Sequence, residues 1–304
     1  MAYLQTVHSS KSSVVPRLFG PMLVAGAFVA AYIPTLKSLV DGPWRTEQEG
    51  HGPLIIAAAL WLAWRSHERL RRLPSSSAPL AGWIILIFGL VLMFLARTQG
   101  VLTFEALSAI PVIIGSVVAL GGWGAFRLLA FPIFFLLFAV PVPDWFIDAA
   151  TIPLKVLISD VVTQALYTVG YPVAQNGVMI MIGPYQLMVK DACSGMNSIF
   201  ALSAIGVFYV YVFRSDEKLR SLLLLASIVP ITIAANFIRV LALVLLAYHV
   251  SVDAVEGTVH DLTGIGLFII AVALLFLFDG FLGVLLRLFG LERPKSIGAP
   301  ISTS

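Results

Sequence analysis

The chain's single cysteine, Cys193, sits in the stretch KDACSGMNS at residues 190–198. Two more residues of catalytic type lie downstream in apolar surroundings, Arg239 in ANFIRV and His260 in GTVHDLTG. A thiol, a guanidinium and an imidazole together suit nucleophilic acyl transfer. The thiolate is the nucleophile, and a free thiol with a pKa of about 8.5 is mostly protonated at neutral pH. A helix N-terminus at Cys193 would favour the thiolate through its unpaired backbone N–H groups. Arg239 stays protonated, so it serves as a charge partner for the thiolate or a donor to the oxyanion of a tetrahedral intermediate. His260 can pass a proton to a leaving amine and later activate the incoming nucleophile.

Supporting places fall to Asn236, on the helical face of Arg239, and to Asp191, which could instead be an N-cap acid. Ser194, Gly195 and Asn197 flank the thiol, and the small Ala192 and Gly195 leave room for a peptide backbone. Each residue also has a plainer reading. A lone cysteine often fills a core, an interfacial arginine snorkels, and Asn236 can simply pack helices together. His260 at a helix start can face water or be satisfied by Asp261. What favours chemistry is that the three come from different spans and share one depth.

The elements that position them follow from composition. Of 304 residues, 59% are hydrophobic and 12% charged, and the mean hydropathy is +0.97. Soluble domains run at about 45–50% apolar and about 25% charged. The fold class is therefore an all-α polytopic membrane protein, since apolar runs of about 20 residues match the hydrocarbon thickness. The apolar pattern predicts about eight transmembrane helices, at 17–40, 52–65, 80–97, 102–120, 123–140, 193–213, 220–248 and 260–288. One membrane domain over 1–304 is expected, with five spans in 17–140, an interfacial segment at 141–192, the site-bearing spans in 193–288 and a tail at 289–304.

Arginines and lysines fix the expected orientation. RSHERLRR at 65–72, RSDEKLR at 214–220, Arg127, and Arg287, Arg293 and Lys295 all fall on one side with both termini. By the positive-inside rule that side is the cytoplasm. The N-terminal span is too long for a cleaved signal peptide and reads as a signal-anchor. The outer segment 141–192 opens with Pro141-Val142-Pro143-Asp144. Residues 151–169 then show an amphipathic pattern around Lys155, Asp160 and Gln164, expected to lie on the outer membrane face. A short β-hairpin over 177–190, turning at Gly183-Pro184, would deliver the chain to Cys193. From Arg220, Arg239 lies 19 residues along its span, roughly 28 Å at 1.5 Å per residue, near the outer edge of a core about 30 Å thick.

These residues carry a resemblance. The chain resembles the exosortases, bacterial members of the exosortase/archaeosortase family of membrane-embedded cysteine transpeptidases, over roughly 50–275. The likeness runs through GHGPLIIAAALWLAWR (50–65), FPIFFLLFAVPVPD (131–144), QNGVMIMIGPYQLMVKDACSGMNS (175–198), IVPITIAANFIRV (228–240) and the downstream His260. The resemblance implies Cys193 as nucleophile, Arg239 as essential arginine and His260 as the third catalytic residue. Implied substrates are secreted proteins with a C-terminal sorting signal: a Pro-containing motif, a transmembrane helix and a basic cluster. Cleavage at the outer, periplasmic face of the bacterial inner membrane would leave a thioester on Cys193 for transfer to an acceptor, in the context of exopolysaccharide and surface assembly. No cofactor and no metal are implied. Met196 and Asn197 stand where bacterial relatives commonly carry an Arg after the CSG, which bears on the sorting motif read.

Other classes fit less well. A non-catalytic transporter or polysaccharide-assembly subunit would gather polar residues near the midplane, which here is nearly all apolar. There is no GxSxG, no HExxH and no Walker loop. No basic patch interleaved with aromatics indicates nucleic acid. The expected partners are membrane lipid and protein substrates.

Overall fold

Apolar runs in lipid must close their backbone hydrogen bonds internally, and they do so as helices. The computed structural model describes residues 15–46, 49–73, 78–188, 195–214, 217–250 and 258–290. Among these, five helices are long and apolar enough to cross a membrane: Gly20–Arg45, Pro79–Gln99, Leu102–Ala139, Lys218–His249 and Phe268–Leu288. Two shorter apolar helices, Gly52–Arg65 and Ile199–Phe213, accompany them. The chain is a multi-pass, helical membrane protein. It forms two compact units, one of residues 1–45 with 56–140, the other of residues 46–55 with 141–304.

The first unit contains α1 (Val15–Asp41), most of α2 (Gly52–Arg65), α3 (His67–Arg72), α4 (Pro79–Gln99), α5 (Leu102–Leu107) and α6 (Ala109–Phe135). Helices α4 and α6 pack antiparallel along small residues. A Cβ on Gly82 would strike the backbone of Ala119, and one on Gly115 the backbone of Leu86. Such close backbone approach is how helices gain dispersion contact without a hydrophobic drive. Polar groups inside this unit are matched: Thr35 Oγ1 and Arg97 Nε both donate to Glu105 Oε1, at 2.6 and 2.8 Å, and Tyr32 Oη lies 2.8 Å from Ser108 Oγ.

The 38-residue run Leu102–Ala139 would measure about 57 Å if straight. It is bent back at Gly122, whose φ of 69° and ψ of −174° are not helical. Its beginning is tied to α1 at Thr35 and Tyr32, and its end through Trp44 Nε1, which donates to the Ala139 carbonyl at 3.3 Å. Thr35 and Trp44 are nine positions apart, about 14 Å of helix. Both ends of the run therefore lie near one another, and α6 is a helical hairpin.

The second unit contains α7 (Asp144–Thr168), β1 (Val173–Asn176), β2 (Met179–Ile182), β3 (Tyr185–Met188), α8 (Gly195–Phe213), α9 (Lys218–His249) and α10 (Thr258–Leu288). The strands form an antiparallel sheet in the order β1-β2-β3, with Val173 opposite Ile182 and Ile182 opposite Tyr185. Side chains alternate across a strand, so Ile180 and Ile182 share the inner face, where both are fully buried. They meet the α7 stripe Ile158, Val162 and Leu166 and the α9 pair Val240 and Val244.

Several expectations change. The anticipated two-stranded hairpin is three-stranded, because QNGVMI supplies a turn as well as a strand and so recruits 173–176. The amphipathic helix starts at Asp144, seven residues before the expected 151, since Pro143 is tolerated just ahead of a first turn. Lys155, expected on its polar side, lies on the buried face, whereas Asp160 and Gln164 are exposed. The stretch 65–72 is not a plain loop but carries α3. Arg220, counted with a loop, is in the first turn of α9 and buried.

Candidate active site at the Arg239 level of the last three helices

Helix α9 is packed on three sides. Leu224, Ile228 and Ala235 share a core with Leu202 of α8 and Ala271 and Leu275 of α10. Val240 and Val244 face α7 and β2, and Leu243 and Ala247 meet Leu187 of β3. At about 100° per residue, Arg239 falls on the arc between the α8/α10 stripe and the β3 stripe. It is 5% exposed, and Asn236, one turn earlier on the same side, is 7% exposed.

The far end of these helices sets their register. Arg220 and Asp279 form a two-pronged ion pair, Nε to Oδ1 at 2.7 Å and Nη2 to Oδ2 at 2.9 Å, and Nη2 also donates to the Asp279 carbonyl at 2.7 Å. Asp279 Oδ2 further accepts from Tyr209 Oη at 2.9 Å and Arg214 Nη2 at 2.7 Å. Glu217 Oε2 takes Arg220 Nη1 at 3.2 Å. This network ties α8, α9, α10 and the residues between α8 and α9 together. A buried charge is tolerable only when paired and hydrogen-bonded this fully.

From that pin the levels can be counted. Helix α10 runs antiparallel to α9, because Arg220, in the first turn of α9, meets Asp279 near the end of α10, while Leu224, Ile228 and Ala235 share their core with the earlier Leu275 and Ala271. Arg239 is 19 residues from Arg220, and His260 is 19 residues from Asp279. Both therefore stand about 28 Å from the pin. Gly195 opens α8 18 residues before Phe213, about 27 Å from the same end. The first turns of α8 and α10 thus share a level with the Asn236–Arg239 turn of α9.

Among the expected site residues, Asn236 and Arg239 are placed in full. Gly195 and Asn197 lie in the first turn of α8 and His260 in the first turn of α10, as backbone. Asp191, Cys193 and Ser194 lie outside the described residues. They belong to the link between β3 and α8, the two elements whose contacts on α9 flank Arg239. Chemically, a guanidinium held in an apolar level presents fixed donors and a fixed positive charge, which act more strongly there than in water.

Sequence reasoning missed two arrangements. One is the Asp279 network, although an acid inside an apolar run was a legible signal. The other joins the residue ahead of GHGP to the Pro141-Val142-Pro143 lead-in of α7: Glu49 Oε1 accepts from the Val142 backbone N–H at 3.0 Å. Val142 carries the sole N–H of Pro141-Val142-Pro143, since proline has none.

Among known proteins, a family model described as transmembrane exosortase (Exosortase_EpsH) matches residues 44–277. No curated protein and no solved structure matches the chain. The matched range takes in the Glu49–Val142 contact, the sheet, and the Arg239 and His260 positions. The chain belongs to the transmembrane exosortase family.

Proposed function

We propose that the protein is a membrane-embedded cysteine transpeptidase that cleaves C-terminal sorting signals. The observation that carries this reading is the common level of the α8 first turn, Arg239 and the α10 first turn, in a chain of this family. Cys193 is the nucleophile, Arg239 its charge partner and oxyanion donor, and His260 the proton carrier. The Cys193 sulfur forms a bond to the scissile carbonyl carbon. The C–N bond then breaks, and the thiol proton passes through His260 to the leaving nitrogen. The resulting thioester is attacked by an acceptor amine or hydroxyl, whose proton returns through His260 as the thiol is released. Asp191, Ser194, Gly195, Asn197 and Asn236 frame the site.

The substrates are secreted proteins with a Pro-containing motif, a transmembrane helix and a basic cluster. The reading takes the chain to cross eight times, counting the α6 hairpin as two, with both termini in the cytoplasm and the site at the outer face of the bacterial inner membrane. Family context links the reaction to exopolysaccharide and surface assembly.

The test is co-expression with a protein bearing such a signal. Wild-type protein should convert it to a shorter, released or acceptor-linked form. Cys193→Ala should abolish conversion, while Cys193→Ser should lower it by at least about 10³-fold, the scale of losing an activated nucleophile. Unchanged conversion in Cys193→Ala would sink the reading and favour a non-catalytic transporter or polysaccharide-assembly subunit.

A further inference from the structure

Helix α9 is longer than a bilayer requires. Its 32 residues span about 48 Å, against a hydrocarbon thickness of about 30 Å. Counted from Arg220, that thickness is used up near Arg239. Ile238, 48% exposed, is the last large apolar residue exposed within the helix, and beyond it Val240, Val244 and Tyr248 are covered by protein. The cover is β2, the stripe Ile158, Val162 and Leu166, and Tyr171, whose ring abuts Tyr248 and whose hydroxyl lies 3.0 Å from His249 Nε2. A hydrophobic core closed by a sheet and an amphipathic helix is how a chain packs against water, not against lipid.

Helix α7 shows the same boundary on its uncovered side. Over its first half the exposed large residues are apolar: Trp145 at 71%, Phe146, Ile152 at 52%, Val156 and Leu157 at 53%. Further along, the polar Asp160, Gln164 and Thr168 are exposed among Val161 at 43% and Tyr167 at 71%, and on the sheet Asn176 and Gln186 are exposed. We propose that the sheet, the second half of α7 and the last turns of α9 form a cap standing outside the bilayer, and that the exposed apolar face of the first half of α7 is seated in lipid acyl chains as the anchor of this cap. The bilayer surface then passes close to Arg239, at the foot of the cap. Lipid is the occupant because the face belongs to a chain of membrane-crossing helices, its exposed large residues before Asp160 are apolar, and polar residues enter it from Asp160 on, about where α9 runs out of hydrocarbon. The placement holds whatever chemistry the site performs.

The test uses purified protein in phosphatidylcholine vesicles at high lipid-to-protein ratio, so that lipid is the available cover. In a Cys193→Ser background, single cysteines are introduced as Ile152→Cys, Leu157→Cys, Ile238→Cys, Gln164→Cys, Thr168→Cys and Gln186→Cys. Each is labelled with a membrane-impermeant maleimide added to both faces. Positions 164, 168 and 186 should react at least about tenfold faster than 152, 157 and 238, and detergent with a small probe should reveal all six thiols as intact. Labelling at 152 and 157 as fast as at 164 overturns the lipid anchor. Slow labelling at 164, 168 and 186 overturns the cap. Because no turnover is measured, failure here is separate from failure of the transpeptidase reading.

Discussion

Arg239 combines a permanent charge with near-complete burial, a placement that in an apolar bundle costs several kcal/mol unless charged or polar atoms face the guanidinium. In the proposed site it raises the thiolate fraction of Cys193. Arg239→Ala should therefore move the apparent pKa of the Cys193 thiol upward. Its alkylation rate at pH 7 should fall about tenfold for every pH unit by which the titration curve moves. The sign is set by charge: a cation favours the anionic form, so its loss delays thiolate formation to higher pH. Arg239→Lys should keep most of the rate while losing the fork of donors. Rate against pH for the chain's only thiol measures both, and an unchanged curve in Arg239→Ala removes Arg239 from the mechanism. Arg239 and His260 stand out in the sequence because lipid makes ionisable groups expensive, and Cys193 because it is the chain's single thiol. Asp279 was equally legible as a cost, but its role depends on Arg220, 59 positions earlier, which the pattern of charges alone places in a loop.

At the scale of elements, geometry rests on a few close fits. Asp279→Asn removes the charge that two arginines share, and leaving Arg220 buried without it should cost about 3–5 kcal/mol. Thermal unfolding in detergent should show this loss, and Asp279→Glu should recover part of it. A fall of less than about 1 kcal/mol would mean the pin does not hold the three helices. Gly115→Leu should prevent α4 and α6 from approaching and reduce folded protein in the membrane, since its side chain has only the Leu86 backbone to enter. Helices α4, α8, α9 and α10 could be read from apolar length, because period and hydropathy act locally. The fold-back at Gly122 was legible as a break between two spans. The third strand was not, since β1 has no strong strand pattern of its own and gains order from pairing with Met179–Ile182. Glu49's hold on Val142 had no local signal, as it joins residues 93 positions apart.

At the scale of the whole molecule, the α6 hairpin decides how many times the chain crosses the bilayer. Were Leu102–Ala139 one crossing, its two ends would emerge on opposite faces, and the basic segments at 65–72 and 214–220 would be split between compartments. With two crossings folded back at Gly122, both ends of the run would emerge on one face, and the Lys- and Arg-rich segments would share a compartment, the arrangement that the positive-inside rule favours. A reporter active only outside the cytoplasm distinguishes the two arrangements. Fused after Gly100 and after Val140 it should be active in both cases, and inactive after Gly122 or after Gly290. Opposite results at Gly100 and Val140 would mean a single crossing, an odd count and termini on different sides. The same fusions bear on the site, because the side of Val140 is the side on which α7 begins. An active reporter there puts the start of α7, and with it the residues leading to Cys193, on the face where secreted proteins arrive.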